Sequence, residues 1–140
     1  MSDFLTKEMI YQKSSQEITA LLYESCITSL EEAIEYINGK DFIIANQKLQ
    51  KANDILHRLG AGLNYEAGIV SDQLDAIYNY SADKLFEANL TKDPSIIKEV
   101  IAILEDISKA WNEALKKPKQ PINANRQKAM AYEKNVLIDQ

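Results

Sequence analysis

Two apolar runs at helical spacing, separated by one sharp break, set the frame for this 140-residue chain. In the first, Leu74, Ile77, Tyr78, Ser81, Leu85 and Ala88 recur three and four residues apart. In the second, Ile97, Val100, Ile101, Leu104, Ile107, Trp111, Ala114 and Leu115 do the same. Between them Asn89-Leu90-Thr91-Lys92-Asp93-Pro94 stops one helix and starts the next. Asp93 suits an N-cap, and Pro94 suits the first helical position, where its missing N–H leaves no bond unmade. The stretch from Asp72 to Leu115 is therefore expected to form a helical hairpin, with one apolar stripe per arm for the rest of the chain to cover.

The upstream half repeats the pattern. Ser14 followed by Glu17 has the spacing of a capping box, which predicts a helix from about Ser15. Its inward face reads Ile18, Leu21, Leu22, Cys26, Leu30, Ala33, Ile34 and Ile37, and Asn38-Gly39 ends it, with Gly39 expected in the left-handed conformation. Asp41 starts the next helix, with Phe42, Ala45, Leu49, Ala52, Ile55, Leu56 and Leu59 inward. Gly60, Gly62 and Gly68 bracket a connector carrying Leu63 and Tyr65, and Pro118 and Pro121 mark the end of the fourth helix. Helices of about 18 to 24 residues joined by short loops favour antiparallel neighbours, hence an all-α, up-and-down four-helix bundle. Residues 1–117 read as the bundle domain, with 1–13 as an N-terminal segment. Residues 118–140 read as a basic C-terminal extension, within which 123–137 is helix-compatible but weakly amphipathic.

Composition removes several function classes. Four Gly and three Pro are too few for a turn-rich all-β fold. The longest apolar run, Val100 to Leu104, is far too short to span a bilayer. Met1-Ser2-Asp3-Phe4-Leu5 lacks the basic start and apolar core of a signal peptide, and a lone Cys26 excludes an internal disulfide. The cytoplasm is the expected compartment. Six basic residues against two acidic ones give the stretch from Lys116 onward +4, so the net charge of −5 leaves −9 for residues 1–115. An acidic body argues against nucleic acid or an anionic membrane as partner. The tail is too mixed with Ala, Asn and Gln for a nucleic-acid arm and reads as a solvated or loosely docked extension.

Catalysis finds no support. A dinuclear metal site in a helix bundle needs inward carboxylates and two Glu-x-x-His elements. This chain has a single His57, preceded by Asp54, and its inward positions are filled by Leu, Ile and Ala. His57 is expected at the surface or at the core boundary. Cys26 falls on the inward stripe, where a thiol behaves as a small hydrophobe with no histidine to activate it. The glycines match no phosphate-binding spacing, so neither an enzyme activity nor a cofactor is expected.

The informative feature is an apolar surplus. A bundle helix needs one stripe toward the core, yet Tyr23, Ile27, Tyr36, Ile43, Ile44, Tyr80, Phe86, Ile96 and Ile103 fall off those stripes. Singly, such residues are ordinary surface or a widened core face. Together they point to grooves meant for another helix or an extended peptide, with Ile27, Ile43, Ile44, Tyr80, Ile96 and Ile103 as candidate groove surface. The alternative is a generic helical adaptor with a different partner, and such surface also leaves self-association open. Seven Tyr against three Phe fits rings that keep one wet end at an interface.

The segment Leu74-Asp75-Ala76-Ile77-Tyr78-Asn79-Tyr80 resembles the Leu-Asp-x-Leu-Tyr-Asp-Tyr stretch of the flagellin-specific export chaperones, the FliS family. Leu85-Phe86-Glu87-Ala88-Asn89-Leu90 and Asp93-Pro94 are similar to the junction that follows it there. Ala110-Trp111, Tyr11-Gln12, Leu22-Tyr23-Glu24 and Ala52-Asn53-Asp54-Ile55-Leu56 match further family positions in order, over about residues 10 to 115. The chain departs from the family at Ser14-Ser15-Gln16, at Ser25 and from Pro118 onward. The resemblance implies a cytoplasmic chaperone that binds the disordered C-terminal segment of flagellin, keeps it from polymerising and helps deliver it to the flagellar export gate. It also implies that Met9, Ile10 and Tyr11 cover part of a groove in the free protein.

Overall fold

The computed structural model describes residues 15–63 and 68–116, and these form four α-helices. They are α1 (Ser15–Asn38), α2 (Phe42–Ala61), α3 (Ile69–Thr91) and α4 (Pro94–Lys116). Helix α1 packs on α2 and α4, and α3 packs on the same two, so the helices stand at the corners of a square in chain order. This is the all-α bundle that the periodicity and the short loops predict. Ser14, Tyr65, the segment carrying Met9, Ile10 and Tyr11, and the extension 118–140 lie outside the described residues.

Each helix buries one stripe. Leu30 from α1, Leu49 and Leu56 from α2, Leu85 from α3, and Ile97, Val100 and Leu104 from α4 are all essentially inaccessible. Each such side chain contributes about 1.5–3 kcal/mol relative to an exposed one. Cys26 is buried among them with its thiol 3.6 Å from the Ala52 carbonyl, and burial pushes its pKa up to about 12. That thiol stays protonated and packs as a small hydrophobe.

The two tight turns use one design. After α1, the Lys40 N–H bonds the Ile37 carbonyl at 2.9 Å and the Asp41 N–H bonds the Tyr36 carbonyl at 2.8 Å. This is a Schellman motif whose left-handed residue is Lys40, at φ 59°. The expectation for Gly39 is thus off by one position, because the paired bonds fall one residue later. Asp41 then caps α2, its carboxylate accepting from the Ile44 N–H at 3.3 Å. At the α3–α4 turn Lys92 takes φ 54°, and the Asp93 N–H reaches the Ala88 carbonyl at 3.3 Å. Asp93 accepts from the Ser95 N–H at 2.9 Å and from its hydroxyl at 2.7 Å, which holds the carboxyl below its ordinary pKa. Pro94 opens α4 as expected. Helix α3 starts at Ile69, earlier than Asp72, from Gly68 in a positive-φ conformation that favours glycine.

Several side chains sit differently from their stripe assignment. Leu21, assigned inward, is only half-buried, because it falls on the side of α1 that carries Glu24. Tyr23, counted among the surplus, is fully buried at the centre of the core. Phe42, assigned inward, is 45% exposed, because it occupies the first turn of α2, where the bundle has little depth. Ala114 is exposed near the end of α4 for the matching reason.

Candidate functional site

With antiparallel neighbours, the Lys40 and Lys92 turns share one end of the bundle. The start of α1, the ends of α2 and α4, and the start of α3 share the other. Apolar surface collects in three places on this frame.

The first lies between α3 and α4. The Tyr80 hydroxyl donates to Glu99 Oε1 at 2.6 Å, which raises the phenol pKa and lays the ring across α4. Glu99 stands three residues after Ile96 and four before Ile103, within one helical turn of each. The Lys84 ammonium lies 5.7 Å from the centre of the Tyr80 ring, a cation–π pairing at the same edge. Ile96 is half-buried against the core, Ile103 is half-buried, and Tyr80 is exposed. Three of the six candidate groove residues therefore meet on one strip.

The other three are dispersed. Ile27 follows Tyr23 by one turn on the side of α1 that faces α4, and it packs partly against the core. Ile44 precedes Lys48 by one turn, and Lys48 pairs with Glu32 of α1 at 2.6 Å, so Ile44 sits toward the α1–α2 seam. Ile43 points outward and is 76% exposed.

Ile43 belongs to a second patch near the turn end of α2 and α3. Asn89 donates to Asn46 Oδ1 at 2.6 Å across that seam. Phe42 and Ile43 lie within a turn of Asn46, and Phe86 and Leu90 within a turn of Asn89. Phe86 is 63% and Leu90 72% exposed. Phe86 belongs to the surplus that the spacing predicts, whereas Leu90 and Phe42 do not. Leu90 reads as part of a helix-breaking junction, and Phe42 continues a correct inward period past the depth of the core.

The third place is the open end. Tyr23, Tyr78 and Trp111 form an aromatic floor beneath a cavity of about 410 Å³, walled by Leu59, Leu63, Val70 and Leu74. The Tyr23 and Tyr78 hydroxyls bond each other, and burial pushes both phenol pKa values up. The Trp111 ring meets Tyr23 edge-on at 6.0 Å, and its indole N–H donates to the Gln16 carbonyl at 2.8 Å. Ile69 and Val70, both exposed at the start of α3, have no signal in the periodicity because they precede the expected start of that helix.

Nothing in these places resembles reaction chemistry. Among the described residues no group of three His, Cys, Asp or Glu side chains is placed to hold a metal ion, and His57 is exposed. No helix among them is long and apolar enough to cross a membrane.

Comparison with known proteins agrees with this picture. The family model described as flagellar protein FliS matches residues 5–118. The flagellar secretion chaperone FliS of Bacillus subtilis (strain 168) is 30% identical over 99 residues, covering 71% of this chain and 74% of that protein. The Salmonella typhimurium protein of the same name is 28% identical over 106 residues, covering 74% and 78%. A crystal structure of a bacterial flagellar chaperone superposes with a TM-score of 0.71 at 19% identity, covering 84% of this chain and 95% of that one.

Proposed function

This chain belongs to the FliS family of flagellar secretion chaperones, and from that premise we propose that it shelters the disordered C-terminal segment of flagellin before export. The observation that carries the reading is large apolar surface that the bundle's own core leaves uncovered, with Ile43, Phe86 and Leu90 each more than 60% exposed. A polymerisation segment is held in check only while its apolar face is covered, and exposed patches on a helix bundle supply such cover. The groove residues are Tyr80, Ile96 and Ile103 between α3 and α4, continued by Ile43, Ile44 and Ile27 on the neighbouring faces. A segment that wraps the bundle, rather than lying in one slot, touches all six.

Coupled folding and binding of such a segment buries on the order of 1,000–3,000 Å². Ordering the segment offsets much of the hydrophobic gain of about 25 cal/mol per Å², which leaves binding reversible enough for hand-over at the export gate. No nucleotide takes part. The N-terminal segment fits the same scheme. Met9, Ile10 and Tyr11 precede Ser15 by four to six residues, and Ser15 lines the end cavity. These residues cover apolar surface in the free chaperone and give way to flagellin.

Calorimetry with a flagellin C-terminal peptide tests the reading. The wild type binds; Ile43→Asp and Ile103→Asp weaken binding at least about tenfold while far-UV circular dichroism shows the helices intact. Deleting residues 1–12 tightens it. A peptide that gives no binding to the wild type overturns the proposal.

A further inference from the structure

Helix α1 carries an electrostatic pattern that works against itself. It holds five glutamates, Glu17, Glu24, Glu31, Glu32 and Glu35, with no lysine or arginine, and its last turn has no basic residue. Helix C-termini favour cations, and like charges four apart, as at Glu31 and Glu35, repel. Glu32 has found a partner in Lys48 of α2. Glu24, Glu31 and Glu35 lie on a different face, pointing away from the bundle, and all three are exposed. The half-buried Leu21 shares that strip, three residues before Glu24.

A basic segment begins at the same end of the bundle as α1. The Trp111 bond to the Gln16 carbonyl ties the last turns of α4 to the first turn of α1. The chain leaves α4 at Lys116, about 7.5 Å of helix beyond Trp111. Glu35 stands about 30 Å along α1 from Ser15, while residues 117–140 reach about 80 Å when extended. That segment contains Lys117, Lys119, Arg126, Lys128 and Lys134 against Glu133 and Asp139, together with Met130, Val136 and Leu137 as apolar partners for Leu21. It also lies almost wholly beyond residue 118, where the family match ends.

We propose that residues 117–140 dock along the outer face of α1 through Glu24, Glu31 and Glu35, as a built-in basic strap. Opposite charge, point of exit and reach all select this occupant over an external one, independently of the flagellin reading. Docking reverses the unfavourable field at the end of α1 and places the strap on a face distinct from the Tyr80–Ile103 strip.

A nitroxide attached at Lys134→Cys in the full chain tests this. The buried, high-pKa Cys26 leaves the introduced thiol as the reactive one. Amide resonances of Glu24 to Glu35 broaden at about 0.1 M salt and recover at about 1 M, as the screening length falls from about 10 Å to about 3 Å. The Glu24→Lys/Glu31→Lys/Glu35→Lys variant abolishes the broadening, and adding Arg126→Glu and Lys128→Glu restores it. Should the triple variant lose helicity, the Arg126→Glu/Lys128→Glu variant alone, which leaves α1 to α4 unaltered, must abolish it instead. Broadening on the α2–α3 patch or around the end cavity, or broadening indifferent to these charges, overturns the proposal.

Discussion

The two ends of the bundle are built by different physics. At the turn end, Lys40-Asp41 and Lys92-Asp93 each place one residue in the left-handed region and the next on an N-cap, within six residues of chain. At the open end, Tyr23, Tyr78 and Trp111 come from three helices, and their contacts span 55 to 95 positions of sequence. One end is closed by local hydrogen bonds. The other is held by long-range aromatic packing around a cavity, and it is where the remaining segments of the chain attach.

The strongest test of the contrast is at the open end. Tyr23→Phe or Tyr78→Phe leaves the surviving buried hydroxyl without its partner and lowers unfolding free energy by about 1–3 kcal/mol in urea titrations. The Tyr23→Phe/Tyr78→Phe double variant loses less than the sum, because neither polar group then remains. Alkaline titration adds a sign. Both phenols hold their protons above the ordinary 10.0 in the folded chain, so wild-type stability falls as pH rises past 10, where unfolded tyrosines ionise. The double variant falls less steeply. Additive single losses would mean that the hydroxyl pair is not a coupled unit.

How legible each end is in the sequence follows from this difference. Asp41, Asp93 and Pro94 announce their roles because capping depends on residues one to three positions away. The inward stripes are legible for the same local reason, and four helices with short loops leave few ways to pack. Tyr23 reads as surplus in the sequence because its partners, Tyr78 and Trp111, lie 55 and 88 positions on. Periodicity says which way a side chain points on its own helix but not what arrives to meet it. The same limit explains the groove candidates. Off-stripe spacing identified Ile43, Tyr80 and Phe86 as exposed, but only the assembled bundle shows Tyr80 meeting the Ile96–Ile103 strip through Glu99 while Ile27 and Ile44 lie on other seams.

At the turn end the effects are smaller and should be separable. Asp41→Ala costs about 1 kcal/mol in the same titrations through one lost cap, and Asp93→Ala lowers the urea midpoint for the same reason. Acid distinguishes them from the open-end variants. The Asp93 carboxyl is held below its ordinary 3.8, so its contribution is complete above that value and disappears as pH falls through the lower, folded one. The gap between wild type and Asp93→Asn therefore narrows below about pH 4, whereas the loss in Tyr78→Phe stays constant there. A gap that persists in acid would assign the Asp93 effect to packing rather than to charge.

The finest test lies between the two turns, which differ in one respect. Lys40 and Lys92 both occupy a backbone region costly for a residue with a Cβ, and glycine removes that cost while loosening the unfolded chain. For Lys40→Gly the balance is a gain of about 0.5 kcal/mol, read as a higher urea midpoint at unchanged slope. Lys92→Gly gains less or nothing. The Lys92 ammonium donates to Asn89 Oδ1, and Asn89 in turn donates to Asn46, which also accepts from Gln50 at 3.4 Å. That chain of bonds ties the α3–α4 turn to α2 beneath the Phe86–Leu90 patch, and deleting its first link offsets the relieved backbone. Equal gains at both positions would show that the ladder carries no stability, and that the patch above it rests on the helices alone.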